Sequence, residues 1–234
     1  MEVKKLKVAL IAPTINEIDG LRAVFPRLDK NIIDEIIVVD LNSTDGTVEY
    51  CREHGYRVHH QRERGYGMAY TEALALTDAD IFIEFCPDGS SVPEKIPELL
   101  AKINEGYDFV IASRYRDGAV SQDDSILTHF GNWLFTTMVN VLFGTHYTDV
   151  LVGFKAYRRS AFNRVLPTSR SMAWAVQIPI RFSKIGVRVA EIGADEPARI
   201  GGIRKMHPLK TGWAILKLII QEFLAGKKFA KTSL

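Results

Sequence analysis

The feature that most constrains this chain is the alternation of short apolar runs with amphipathic segments through its first half. Leu6–Ala12, Glu35–Asp40, Arg57–His60, Asp80–Phe85 and Asp108–Ala112 read as strands. Between them, Glu17–Leu28, Asp45–His54, Gly67–Thr77 and Pro93–Asn104 carry helical patterns. Thr44 or Asp45 is placed to cap the second helix. Such alternation predicts an α/β fold, a mostly parallel sheet sandwiched by helices. Ligands of open sheets of this kind bind beyond the carboxyl ends of the strands. Here those ends carry Pro13–Glu17, Asp40–Asp45, Cys86–Ser90 and Ser113–Tyr115, all polar or turn-forming.

The second half reads differently. Ser121–Ser125 is a polar, acidic loop, and Ile126–Phe143 is helical and strongly apolar. Val152–Tyr157 is strand-like, Trp174–Lys184 helical and Arg188–Ile192 strand-like. Glu196–Lys205 combines cations with the Gly201–Gly202 pair and reads as a mobile loop. Pro208–Lys228 reads as an amphipathic helix. The expected organisation is one body over residues 1–205, with the apolar helix 126–143 inside it, followed by a C-terminal helical segment over 206–234.

Lys and Arg number 30 against 28 Asp and Glu, a net charge of +2. That balance argues against nucleic acid as a partner. The two cysteines, Cys51 and Cys86, give no disulfide framework. The run Val8–Ala12 is too short for a signal-peptide core. No apolar stretch reaches the roughly 18–20 residues that cross a bilayer.

Several residues ask for a chemical reading of their own. Asp40 follows four apolar residues, so its carboxylate needs a partner, whereas Asp45 is read as a helix cap. Glu84 shares strand parity with Cys86 and Asp88 and is expected to be salt-bridged or exposed at an edge. Cys86 is expected to be a small buried residue. The six histidines show no metal-ligand spacing. Arg114, Lys155, Arg199, Arg204 and Lys205 fall at strand ends or in the Gly-Gly loop, where cations can stabilise a leaving group that gains negative charge.

The motifs come in a particular order. Pro13-Thr14-Ile15-Asn16-Glu17 follows the first strand, and Val38-Val39-Asp40-Leu41-Asn42-Ser43-Thr44-Asp45-Gly46-Thr47 spans the end of the second. Arg64-Gly65-Tyr66-Gly67-Met68-Ala69 opens a helix, then come Pro87-Asp88-Gly89 and Ser113-Arg114-Tyr115. Asp149-Val150-Leu151-Val152-Gly153-Phe154-Lys155, Glu191 and Arg199-Ile200-Gly201-Gly202-Ile203-Arg204-Lys205 complete the series. Together they resemble family 2 glycosyltransferases of the GT-A fold over roughly residues 6–205, in particular the dolichol- or polyprenyl-phosphate sugar synthases.

The resemblance implies transfer of a hexose from a GDP- or UDP-linked sugar to a polyprenyl phosphate, with inversion, at the cytoplasmic face of the membrane. It implies that Pro13, Thr14, Glu17, Asp40, Asn42, Gly65, Gly67 and Asp88 bind the nucleotide sugar. Asp88, Arg114, Arg204 and Lys205 are the implied catalytic set. Arg114, Lys155, Arg199, Arg204 and Lys205 are the implied phosphate and acceptor ligands. Family members carry Asp-x-Asp where this chain has Cys86-Pro87-Asp88. The implied Mg²⁺ or Mn²⁺ is therefore expected to bind weakly, through Asp88 and the substrate phosphates.

The sequence offers no compelling general base. A phosphomonoester acceptor needs none, because its second pKa of about 6 leaves it anionic at neutral pH. Asp123 and Asp124 are the candidate bases if the acceptor is a hydroxyl. Trp133–Phe143 and Trp213–Leu224, the latter flanked by Lys205, Lys210, Lys227, Lys228 and Lys231, suit helices lying in a membrane interface. Three alternatives stay open: a core or dimer role for the first of these helices, a saccharide hydroxyl acceptor in surface polysaccharide assembly, and an inactive nucleotide-sugar-binding scaffold. A membrane partner protein or a second copy of the chain is a further open partner.

Overall fold

The structure, a computed structural model, describes residues 5–227. Lys228 and Lys231, with the rest of the 228–234 end of the expected C-terminal segment, lie outside the described residues. Seven strands form one sheet: β1 (Val8–Thr14), β2 (Glu35–Asp40), β3 (Arg57–His60), β4 (Ile81–Glu84), β5 (Phe109–Ser113), β6 (Lys155–Arg158) and β7 (Val189–Gly193). Their spatial order is β3-β2-β1-β4-β6-β5-β7. All pairings are parallel except those of β6, which runs antiparallel to both β4 and β5. The expected mostly parallel α/β sheet is what forms.

Eight α-helices accompany the sheet: α1 (Ile18–Val24), α2 (Thr47–Glu53), α3 (Tyr66–Leu74), α4 (Ile96–Asn104), α5 (Ile126–Phe143), α6 (Arg159–Val165), α7 (Trp174–Lys184) and α8 (Pro208–Leu224). The bounds of β2, β3, α5 and α7 match the sequence reading. The end of the first helical pattern and the start of the Pro93 one tighten into 3₁₀ turns, Phe25–Arg27 and Pro93–Lys95, each containing a proline. Helix α6 was not expected. It has seven residues with only Ala161, Phe162 and Val165 buried, too short a pattern to stand out.

The central strands are buried on both faces, which gives the near-continuous apolar runs of a parallel sheet. Ala9 to Ala12 and Phe109 to Ile111 have no appreciable exposure. Helix α5 starts on a capping box in which Ser125 and Thr128 exchange side-chain and backbone bonds. Helix α8 is anchored from inside. Ile215, Ile219 and Glu222 are buried, and Glu222 accepts from Arg181 at 2.8 Å, Gln177 at 2.8 Å and Lys184 at 2.6 Å.

Candidate active site

The first strand ends meet by register. Thr14 and Asp40 are paired across β1 and β2, and the Thr14 hydroxyl donates to Asp40 Oδ1 at 3.1 Å. Ser43 donates to Asp40 through its hydroxyl at 2.5 Å and its backbone N–H at 3.0 Å. The partner that burial of Asp40 demands is thus internal, a correction to reading that need as a sign of a ligand. Asp40 fastens the turn that carries Asn42, an exposed residue in the left-handed region at φ 55°. Asn16, also left-handed at φ 54°, accepts from the Thr44 N–H at 2.7 Å. Pro13 is half-buried beside Val39. Helix α2 starts at Thr47 with Gly46 at its N-cap and no side-chain cap, which corrects the expected cap at Thr44 or Asp45; Asp45 acts from just outside the helix. It accepts from the Thr47 N–H and hydroxyl at 3.0 and 2.6 Å and from the Ile18 N–H at 3.0 Å, so one carboxylate tethers the starts of α1 and α2.

Gly65 and Gly67 have a packing role. A Cβ on Gly67 would lie 1.9 Å from the Ser169 carbonyl oxygen, and one on Gly65 would lie 2.2 Å from that of Arg170. These glycines admit the 169–170 backbone against the start of α3.

Glu17, Asp88, Arg199 and Lys205 converge. Arg199 Nη1 donates to both Glu17 oxygens at 3.1 Å, and its Nη2 pairs with Asp88 Oδ2. Lys205 Nζ lies 3.7 Å from Glu17 Oε1. Burial pushes the Glu17 carboxyl above its ordinary value, against the pull of Arg199. The Gly-Gly loop lies flat on this cluster. Gly201 and Gly202 both sit in the left-handed region, and Cβ atoms on them would meet Asp19 and Glu17 at 2.6 and 2.9 Å. Close approach, as well as the turn, requires glycine at these two positions.

Asp88 does not present a divalent-ion site as it stands. Its Oδ1 accepts from the Ser90 N–H at 3.0 Å and hydroxyl at 2.6 Å, and Arg199 holds its Oδ2. Burial pushes the neighbouring Cys86 thiol up to about 12, so it offers no thiolate at neutral pH. No three acidic, His or Cys side chains group as a metal set among the described residues. As it stands, the donor set offers a divalent ion a single carboxylate that is already ion-paired to Arg199.

A second cluster forms beyond the ends of β5 and β7. Arg114 donates from Nε to Asp149 at 2.6 Å, from Nη2 to Asp149 at 3.0 Å and from Nη1 to Glu196 at 3.1 Å. Asp124 lies 3.8 Å from Arg114 and accepts from the Tyr115 hydroxyl. Arg204 is bound to the backbone and carboxylate of Asp123. The expected base candidates Asp123 and Asp124 are thus ion-paired. Asp149 and Glu196 had no assigned role in the sequence reading. Both were visible only as acidic residues ahead of Gly-Phe-Lys and of the Gly-Gly loop.

Lys155 is a correction. It is fully buried, and its ammonium donates to the carbonyls of Val150 at 3.2 Å and Ala175 at 2.6 Å, which leaves no direct route to a phosphate. Burial draws it down to about 8. Glu84, expected at an edge or in a salt bridge, is fully buried. It accepts the Trp174 indole N–H at 2.7 Å and the Tyr157 hydroxyl at 3.1 Å.

Residues 9–166 match the glycosyl transferase family 2. The chain belongs to that family. It is 30% identical over 217 residues to the dolichyl-phosphate hexose transferase of Haloferax volcanii, covering 92% of each chain. It is 26% identical to the undecaprenyl-phosphate mannosyltransferase of Micrococcus luteus, covering 91% of this chain and 93% of that one. The fold is that of the GT-A enzymes. Glucosyl-3-phosphoglycerate synthase from Mycobacterium tuberculosis, crystallised with Mg²⁺ and UDP, superposes with a TM-score of 0.71 at 22% identity, over 97% of this chain and 81% of that one. The protein is a family 2 glycosyltransferase.

Proposed function

We propose that this glycosyltransferase moves a hexose from a nucleoside-diphosphate sugar to a polyprenyl phosphate at a membrane surface. The observation that carries this reading is an apolar face beside the charged clusters. On α5, Ile126 is 92% and Trp133 58% exposed, with Leu127 and Phe130 between them, and on α8 Trp213 is 71% exposed. Exposed aromatic and aliphatic side chains on adjoining helices suit the interface between headgroups and acyl chains. No helix among the described residues is long and apolar enough to cross a membrane. The activities named for the Haloferax and Micrococcus relatives support the same acceptor class.

The nucleoside lies against the Pro13–Glu17 and Asp40–Asn42 strand ends, where Glu17 accepts ribose hydroxyls. Arg199 and Lys205 face the donor diphosphate. Arg204, on the same loop and bound to Asp123 near the start of α5, and Arg114, fixed by Asp149, present positive potential to the acceptor phosphate. A phosphate oxygen attacks the anomeric carbon, the bond from that carbon to the nucleoside diphosphate breaks, and the configuration inverts. The acceptor is already anionic, so no side chain needs to remove a proton. The membrane face is the cytoplasmic one. The test is a panel of radiolabelled nucleotide sugars with polyprenyl phosphate in detergent. The expected product is a lipid-linked sugar labile to mild acid. A product stable to mild acid, or transfer to soluble sugars alone, overturns the reading.

A further inference from the structure

Asp88 is the one acidic residue left in the three-residue segment where family 2 enzymes carry two, and its surroundings say what replaces the metal. Arg199 bridges Asp88 Oδ2 and both oxygens of Glu17. The same loop is pinned at this point by the Ile200 N–H, which donates to the Asp88 carbonyl at 2.7 Å. Ile200 also fills the space over Gly89, where a Cβ would approach its side chain to 2.8 Å. The guanidinium is thus held by its own loop against the turn that carries Asp88.

We infer that Arg199 is a resident cation standing in for the divalent metal, so that this enzyme binds its donor diphosphate without Mg²⁺ or Mn²⁺. A guanidinium offers five N–H donors in a fixed fork. Nη1 and Nη2 are engaged by Glu17 and Asp88, while Nε is buried without a hydrogen-bond partner. A buried donor in that state is costly to leave unmade. A diphosphate oxygen satisfies it and keeps the bond to Asp88 intact. A divalent ion at the same carboxylate would have to displace Arg199 against its charge, with Cys86 standing where a second carboxylate would be needed. Lys205, within 3.7 Å of Glu17, adds a second positive charge on the same loop. The chain therefore carries in its own side chains the positive charge that a divalent ion would otherwise supply.

This rests on the nucleotide-sugar reading above, and the experiment separates the two. UDP and GDP are titrated calorimetrically into the wild-type protein in EDTA and again with Mn²⁺, and Mn²⁺ uptake by the free protein is followed by electron paramagnetic resonance. The expected result is a dissociation constant that changes by less than about threefold between the two conditions, with no Mn²⁺ uptake by the protein alone. Arg199→Ala should weaken nucleotide binding in EDTA by about tenfold or more, through loss of a charge-assisted contact. It should also expose Asp88 and Glu17 as an uncompensated pair that now takes up Mn²⁺. Arg199→Lys, which keeps the charge without the fork, should fall between. Nucleotide binding that appears only with Mn²⁺ overturns the inference, and the wild-type arms decide this without any variant. Absence of binding for both nucleotides under both conditions overturns the donor reading itself.

Discussion

Glu84 and Lys155 face each other across the antiparallel β4–β6 pair, both fully buried, and each bonds to other groups, with Glu84 Oε2 left without a hydrogen-bond partner. The lysine gives its protons to two backbone carbonyls, and the glutamate takes an indole N–H and a phenol. These two titratable groups thus hold separate parts of the fold. Lys155 binds the 150 turn to the start of α7, and Glu84 binds β4 to Trp174 and Tyr157. Their titration is accordingly a property of folding.

Lys155 titrates near 8 in the folded protein, below its ordinary 10.5. Between those values the unfolded chain holds the proton that the folded one has released, so stability rises with pH across that window. The rise amounts to about 3 kcal/mol at most. Lys155→Met should flatten it. Urea denaturation of both proteins at pH 8 and pH 10 measures the difference, and equal slopes would show that Lys155 is not buried as described.

Burial raises the Glu84 carboxyl, so its stabilising, protonated form is fully present below the ordinary value of 4.5. That stability is lost as pH rises through the raised folded value. Trp174→Phe removes a donor that favours the charged form. The variant should be destabilised by about 1–3 kcal/mol, and by more at pH 8 than at pH 5. A loss independent of pH would point to packing of the indole instead.

Glu222 is the reverse case. Burial pushes its carboxyl up, but donors from Lys184, Gln177 and Arg181 hold it below the ordinary value. Its contribution is present above 4.5 and is lost as pH falls through the lower folded value. Glu222→Ala takes a buried carboxylate away from Arg181 and Lys184 and should cost about 3–5 kcal/mol at pH 7. The cost should shrink in acid. Thermal melts at pH 7 and pH 3.5, read by helical ellipticity, test both statements.

Sedimentation with anionic vesicles tests the membrane face. Trp213→Ser should weaken partitioning by roughly tenfold, the order expected for one large side chain left in water. Binding of the wild-type protein should also fall with salt, since each surface lysine such as Lys210 or Lys217 contributes about 1 kcal/mol that is screened within a Debye length. Vesicle binding insensitive to both changes would remove α8 from the interface.

Much of the fold was legible because parallel strands buried on both faces write themselves as unbroken apolar runs, as Val8–Ala12 and Glu35–Asp40 do. The partners of Asp40, Gly67 and Lys155 were not. Each is decided by what the turn or a distant segment brings up: Ser43 three residues on, Ser169 a hundred residues on, and Ala175 at the start of α7. A cation at a strand end looks the same in sequence whether it points at a ligand or beneath it. Helix α8 shows the same limit, because its buried Glu222 reads in sequence as an interruption of an apolar face.

The reversed strand β6 has a consequence for how such an enzyme can diversify. Because it enters the sheet head-first between β4 and β5, its beginning lies at the ligand edge, and the chain reaches it through α5 and the 144–154 connection. The strands β1 to β4 are complete before that excursion starts. Lengthening, shortening or recolouring the excursion leaves their hydrogen-bond ladder untouched. The stretch from α5 to the start of β6 is thereby an interchangeable cartridge, inserted into a frame whose architecture need not change when the cartridge does.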